Sequence, residues 1–191
     1  MGTLTYEAAY SAQNWTGTVN VNYTAVYDPD TNRTTVMFED CTHVYFGRNL
    51  YGTSYKTEIT VAADDNPSSK GAATIISASN ATTNGGIKTF TDTPTPASIV
   101  VQHSAEAGEK SITISCSTSI TAYMSSSTSA QTTGTGSGAA TVATGTRKQQ
   151  GLVYIDNGSG FAAYHVYIDN GTGWDRVIPH IDNGTGWDMC S

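Results

Sequence analysis

The sequence predicts an all-β chain. Residues 1–147 read as an Ig-like antiparallel β-sandwich, and residues 151–191 as a small repeat of three β-hairpins. Three observations predict this. Thr (31) and Ser (19) fill much of the chain while Leu occurs three times, a composition that starves a helical bundle and suits strands joined by tight turns. Apolar and polar residues alternate at period 2 in run after run. A 13-residue motif closes the chain in three copies.

The runs follow in order. Between Asn14 and Tyr23, Val19, Val21 and Tyr23 alternate with Asn20 and Asn22, the pattern of a half-buried strand, and Trp15 beside it reads as core. Asp28-Pro29-Asp30-Thr31-Asn32 is written in turn residues, and Thr34 to Phe38 returns as the second arm of a hairpin. His43 to Phe46 is a short strand closed by Gly47-Arg48-Asn49. Thr57, Ile59 and Val61 alternate with Lys56, Glu58 and Thr60 from Tyr55 to Ala62, and Asp64-Asp65-Asn66-Pro67 stops that run. Ala73 to Ser77, Ile87 to Phe90, Ser98 to His103 and Ser111 to Ile120 complete the series. Asn84-Gly85-Gly86, then Pro94 and Pro96, then Glu106-Ala107-Gly108-Glu109 separate them. About seven or eight short strands with regular turns is the spacing of a sandwich. Residues 124–138 are Ser/Thr/Gly-rich and read as a linker or surface loop, with Ala140 to Ala143 as a last strand.

Composition excludes several functions. Nine basic residues face sixteen acidic ones for a net charge of −7, and the longest basic run is Arg147-Lys148. Nucleic acid is therefore not an expected partner, because phosphate neutralisation supplies most non-specific affinity. No apolar run approaches the roughly 18–20 residues that span a bilayer, so no membrane is expected. Met1 to Glu7 lacks the basic start and apolar run of a secretory leader, and Tyr6 stands where myristoylation wants Ser or Thr. Cys41, Cys116 and Cys190 are odd in number and irregular in spacing, which describes free thiols rather than a disulfide framework; the first two read as small core residues. His43, His103, His165 and His180 show no zinc spacing, and Cys41 and His43 have no second pair of ligands. Nucleophile elbow and phosphate loop are both absent from the sequence, so no enzyme activity, cofactor or metal is expected. Seven N-x-[ST] sequons follow from the Asn and Thr abundance.

The repeat is the most specific signal. Tyr154-Ile155-Asp156-Asn157-Gly158-Ser159-Gly160-Phe161, Tyr167-Ile168-Asp169-Asn170-Gly171-Thr172-Gly173-Trp174 and His180-Ile181-Asp182-Asn183-Gly184-Thr185-Gly186-Trp187 are in strict register. Asn157-Gly158, Asn170-Gly171 and Asn183-Gly184 each have the composition of a two-residue type I′ turn, which needs φ > 0 at both positions. Each unit then reads as a hairpin with Ile and an aromatic near its base, and three in series stack these positions into one sheet or spiral, as a β-meander or a rung made stable by trimerisation. Phe161, Trp174 and Trp187 form either a row of sugar-stacking platforms or repeat-to-repeat packing. Asp156, Asp169 and Asp182 either bind sugar hydroxyls or calcium, or cap the turn backbone; Asp64-Asp65-Asn66 poses the same choice.

The repeat I-D-N-G-[ST]-G-[WF] resembles the C-terminal repeats of structural proteins of tailed bacteriophages that infect Gram-positive bacteria. The upstream runs W-T-G-T-V-N-V-N-Y, T-N-R-T-T-V-M-F and G-T-S-Y-K-T-E-I-T-V resemble an Ig-like sandwich of such virion proteins. The resemblance covers residues 153–188 more closely than the rest. Phe161 and Ala162-Ala163 depart from the Trp-Asp of the other units and mark the first as an atypical cap. The resemblance implies a non-enzymatic tail, fibre or capsid-surface component, made in the host bacterial cytoplasm and located in the virion. It implies a homo-oligomer, trimer or higher, bound to other virion proteins, with a cell-surface glycan as a further partner. The alternative is a carbohydrate-binding module that uses the repeated aromatics.

Overall fold

Branched and hydroxylated residues in alternation give strands that hide one face and wet the other. A computed structural model describes residues 1–10, 16–47, 52–79, 86–105, 107–123, 131–147, 152–156, 158–169, 171–182 and 187–189. Trp15, Arg48-Asn49, Asn84-Gly85 and Cys190, read above as core, turns and a terminal thiol, lie outside the described residues. Among the described residues every regular element is a strand, so the all-β expectation holds. The chain divides into two units, residues 1–105 with 109–145, and residues 106–108 with 146–191.

Ten strands make the first unit: β1 (Gly2–Tyr10), β2 (Thr16–Asp28), β3 (Arg33–Phe38), β4 (Cys41–Gly47), β5 (Gly52–Ala63), β6 (Asn66–Ser79), β7 (Gly86–Asp92), β8 (Ser98–Gln102), β9 (Gly108–Tyr123) and β10 (Gln131–Arg147). They belong to one sheet in the order β6-β5-β9-β10-β1-β2-β3-β8, with β4 on β2 and β7 on β4. The arrangement is one continuous antiparallel sheet that nearly closes on itself, where an Ig-like sandwich would have two separate sheets. β2 makes this possible because it is long. Thr16 to Tyr23 pair with β1 along one edge. Along the other edge Gly17 to Asn20 pair with β4, and Tyr23 to Asp28 pair with β3. The β2–β3 turn is the one expected: Asp28 Oδ1 accepts from the Asp30 N–H at 3.0 Å, Thr31 Oγ1 donates to Asp28 Oδ2 at 2.7 Å, and Asn32 adopts φ 55°.

The sheet's two ends meet where β6 approaches β8. Thr74 and Thr95 exchange two backbone hydrogen bonds of 2.9 Å, the Gln102 N–H donates to Ser69 Oγ at 2.6 Å, and Asn66 Nδ2 donates to the Gln102 carbonyl at 3.1 Å. A Cβ on Gly71 would lie 2.5 Å from Ile99 Cγ2, so glycine there lets β8 come close. Inside lies one apolar cluster fed by nine strands, with Val19, Val21, Ile59, Ile75, Ile112 and Ile114 among its most buried members. Cys41 and Cys116 belong to it as free buried thiols, as expected.

Two strands depart from the sequence reading. No strand is expected before Asn14, yet Leu4, Tyr6 and Ala8 of β1 point into the core and the strand pairs with β2 from Gly2 to Ala9. Residues 131–138 belong to β10 and are not linker; residues 124–130 lie outside the described ones. Gly134 is buried and Thr135 exposed, and β10 pairs with β1 as Ala8↔Gly136 and Tyr10↔Gly134. Composition reads as flexible, but the spacing of the glycines is that of a strand. A Cβ at position 136 would sit 2.2 Å from the Glu7 carbonyl oxygen, and one at 138 would sit 2.9 Å from the Tyr6 ring. These glycines are the room that the neighbouring strand requires. Gly136→Ala is therefore expected to lower stability by about 2 kcal/mol, within the usual cost of overpacking. Thermal melting of the variant beside the natural chain measures this; an unchanged midpoint would contradict the tight β1–β10 approach.

Candidate functional site

The repeats form the second unit. β11 (Leu152–Asp156), β12 (Phe161–Asp169) and β13 (Trp174–Val177) make a three-stranded meander, and β14 (His180–Asp182) pairs with β15 (Trp187–Met189). In each hairpin the last paired residues are the Asp and the aromatic: Asp156↔Phe161, Asp169↔Trp174 and Asp182↔Trp187. The connection is therefore four residues long, which corrects the two-residue type I′ turn. Gly158 and Gly171 nevertheless carry φ of 82° and 85°, and Gly160 carries 136°, so the motif's glycines do supply left-handed backbone. Asn157, Asn170, Asn183 and Gly184 lie outside the described residues.

Register also separates what the sequence reading stacked together. Ile168 faces Asp175 across the strands, one step from Asp169↔Trp174, so Ile168 and Trp174 lie on opposite faces. The same offset recurs in the other two units, where Ile155↔Ala162 and Ile181↔Asp188 flank the Asp–aromatic pairs. Trp174 is 71% exposed and Ile168 is 56% exposed. Tyr167 faces Arg176, and both are exposed on the strands that carry Trp174. The structure thus brings each predicted Asp beside its aromatic as backbone partners.

The first unit holds two polar clusters that sequence reading missed. One joins the β5–β6 turn to β3, β8, β9 and β10. Asp65 Oδ1 contacts His103 Nδ1 at 2.9 Å, and Asp65 Oδ2 accepts from Lys110 Nζ at 2.6 Å and Ser104 Oγ at 2.8 Å. His103 Nε2 lies 2.8 Å from Thr34 Oγ1, which donates to Thr144 Oγ1 at 3.2 Å, and Thr144 donates to the Lys110 carbonyl at 3.0 Å. Burial of Asp65 opposes ionisation, but hydrogen bonds from Lys110, His103 and Ser104 outweigh it and hold the carboxyl well below the usual carboxylate range. Asp64, its neighbour, accepts from Ser111 and from Thr113 at 2.7 Å. Carboxyl oxygens of both acids thus accept hydrogen bonds from the chain's own residues.

The other cluster crosses the core. Tyr6 Oη meets Thr118 Oγ1 at 2.6 Å, Thr118 meets Thr57 Oγ1 at 2.7 Å, and Thr57 meets His43 Nε2 at 2.8 Å. His43 stacks on Tyr55 with ring centroids 3.7 Å apart, and Tyr55 Oη donates to Asp92. Burial pushes His43 down to about 4, against the pull of Asp92, and pushes Tyr6 up to about 12. Burial also raises the Cys41 and Cys116 thiols to about 11 and about 12, which keeps both unreactive.

Asp65, His103 and Thr34 have the order of a hydrolase relay, acid to imidazole to hydroxyl. Thr34 is fully buried and His103 is 3% exposed, so no substrate reaches the hydroxyl. A depression of about 520 Å³ on the outer face, edged by Lys56, Glu58, Ser117, Ser119, Thr135 and Ser137, offers hydroxyls and a Lys56–Glu58 ion pair of 2.6 Å. Among the described residues no three His, Cys, Asp or Glu side chains gather as a metal site, and no helix is long and apolar enough to cross a membrane. Comparison with known protein families, with curated proteins and with solved structures finds no match to this chain.

Because His43 is harder to protonate folded than unfolded, stability is full above its ordinary value of 6.5 and falls as pH drops from 6.5 towards 4. Asp65 adds a separate loss below its ordinary value of 3.8, as pH falls towards its lowered folded value. Urea midpoints across this range are expected to decline, and His43→Gln is expected to flatten the 6.5-to-4 segment; an equal slope in that variant would contradict the burial effect. Gly171→Val is expected to break the β12–β13 hairpin, since a φ of 85° is closed to a β-branched residue. Loss of the cross-strand amide contacts in NMR would show this, and their survival would contradict the left-handed loop.

Proposed function

We propose that this chain is a non-catalytic structural protein of a tailed bacteriophage virion, a tail, fibre or surface-decoration component. On this reading the barrel is the inert body, and the C-terminal repeats serve assembly or weak attachment to a host surface. The observation that carries it is the state of the repeat sheet. Tyr164, Tyr167, Ile168 and Trp174 are all exposed, and Val166 and Val177 beside them are only half-buried. Such a surface is costly to a lone soluble chain and useful in a multi-copy particle, where weak contacts add by avidity. The sealed hydroxyl and imidazole of the barrel support a non-catalytic role. The resemblance of the repeats to phage structural proteins supports the setting, a virion part made in the host cytoplasm beside other virion proteins.

The second reading is a carbohydrate-binding module, favoured by the exposed Trp174 with Tyr167 and Arg176 nearby. Light scattering on the full-length chain separates the two. A trimer or larger is expected; a monomer at all concentrations, together with retardation in polysaccharide gels that Trp174→Ala abolishes, would favour the module.

A further inference from the structure

We propose that Trp174, Tyr167 and Arg176 form a binding site for a neutral saccharide on the β12–β13 hairpin. This rests on the attachment reading above and names its site and its ligand. The register sets Tyr167 directly opposite Arg176, and Trp174 lies two residues from Arg176 along the same strand, so the three share one face. Directly opposed side chains of a sheet start about 5 Å apart and diagonal ones about 7–8 Å, so one small ligand spans both rings and the guanidinium. All three side chains are exposed, Trp174 at 71%.

Two aromatic rings beside a guanidinium match the two kinds of surface that a sugar ring presents. Its C–H groups are apolar and pack on an aromatic face, and its hydroxyls accept from the planar N–H donors of Arg. The charge balance makes that sugar a neutral one. Arg176 is the one Lys or Arg among residues 151–191, where five Asp occur, so a polyanion is repelled. The size of the patch argues against a protein partner. β12 and β13 pair over four residues each, from Val166↔Val177 to Asp169↔Trp174. Four residues at about 3.4 Å each, on two strands about 4.8 Å apart, give a strip of roughly 130 Å². A stable protein contact takes about 800 Å² from each partner. A strip of this size suits one or two sugar rings.

The full set occurs once. The positions of Tyr167, Arg176 and Trp174 are held by Tyr154, Ala163 and Phe161 in the first hairpin and by His180, Met189 and Trp187 in the third. The aromatic beside the loop recurs, but the guanidinium belongs to the middle hairpin alone. Repeat-to-repeat packing asks for like residues at each step, whereas a binding site needs one complete group.

NMR titration of the full-length chain with cellotetraose, chitotetraose and, as an acidic probe, tetragalacturonate tests this. A neutral tetramer is expected to move the Trp174 indole N–H signal. Trp174→Ala and Tyr167→Ala are each expected to weaken its binding by at least about tenfold, and Arg176→Gln by a smaller factor. Trp174→Phe keeps a ring and is expected to restore most of the affinity. Tyr164→Ala removes an exposed ring from the opposite face and is expected to change nothing. Circular dichroism confirms that each variant keeps its β signal. Binding that survives Trp174→Ala and Tyr167→Ala would overturn the site while leaving attachment intact. Tetragalacturonate bound more tightly than either neutral tetramer would overturn the neutral class. If no tetramer binds, the site and the attachment reading fall together, and assembly, read by light scattering, is judged separately.

Discussion

A sheet of ten strands that curls back on itself must join its own edges, and here the join depends on Asp65. Between β6 and the segment around β8 there is one mutual pair of backbone bonds, at Thr74 and Thr95, in place of a full ladder. Asp65 sits at the turn that leads into β6 and takes hydrogen bonds from Lys110 on β9 and Ser104 just beyond β8, with His103 beside it. His103 then leads through Thr34 and Thr144 to β3 and β10. A buried ammonium without a carboxylate would be expensive, so the charge pair specifies where these strands meet more than it adds net stability. Thr34, a nearly sealed imidazole and a buried lysine are in this light parts of a closure.

The core-crossing chain from Tyr6 to His43 has the same logic at a different level. Four polar groups lie among isoleucines and valines, and each finds a partner on another strand. An apolar core tolerates sliding of one strand against the next, whereas hydroxyls that must meet hydroxyls do not. Tyr6, Thr118 and Thr57 thereby tie β1, β9 and β5 together in register.

Much of the barrel was legible because period 2 is a local property. Val19, Val21 and Tyr23, or Ile112, Ile114 and Cys116, announce a buried face without reference to any partner strand. What could not be read locally was closure. Two sheets or one curled sheet use the same alternation, and what distinguishes them is non-local: Gly71 against Ile99, the carboxylate of Asp65 and the bonds between β6 and the chain around β8. β10 was hidden for a related reason: Gly134, Gly136 and Gly138 look like linker until Tyr6 and Ala8 are placed against them. In the repeats the hairpins, their Asp–aromatic ends and the positive φ at Gly158 and Gly171 follow from the motif. The loop length did not, because Asn-Gly is compatible with two residues or four. A count along the paired strands puts Ile and the aromatic on opposite faces with either loop length.

The open loops have an engineering consequence. A Cβ built on Gly158, Gly160, Gly171 or Gly173 meets nothing within 4 Å, whereas one built on Gly136 or Gly71 strikes a neighbour at once. The chain thus concentrates its spatial tolerance at the hairpin tips. Foreign peptides spliced there are expected to leave the paired strands undisturbed, because a side chain added at these glycines meets no neighbour. A chain that repeats its hairpin offers more than one such port, spaced by the repeat itself, which makes the C-terminal unit a natural frame for multivalent display.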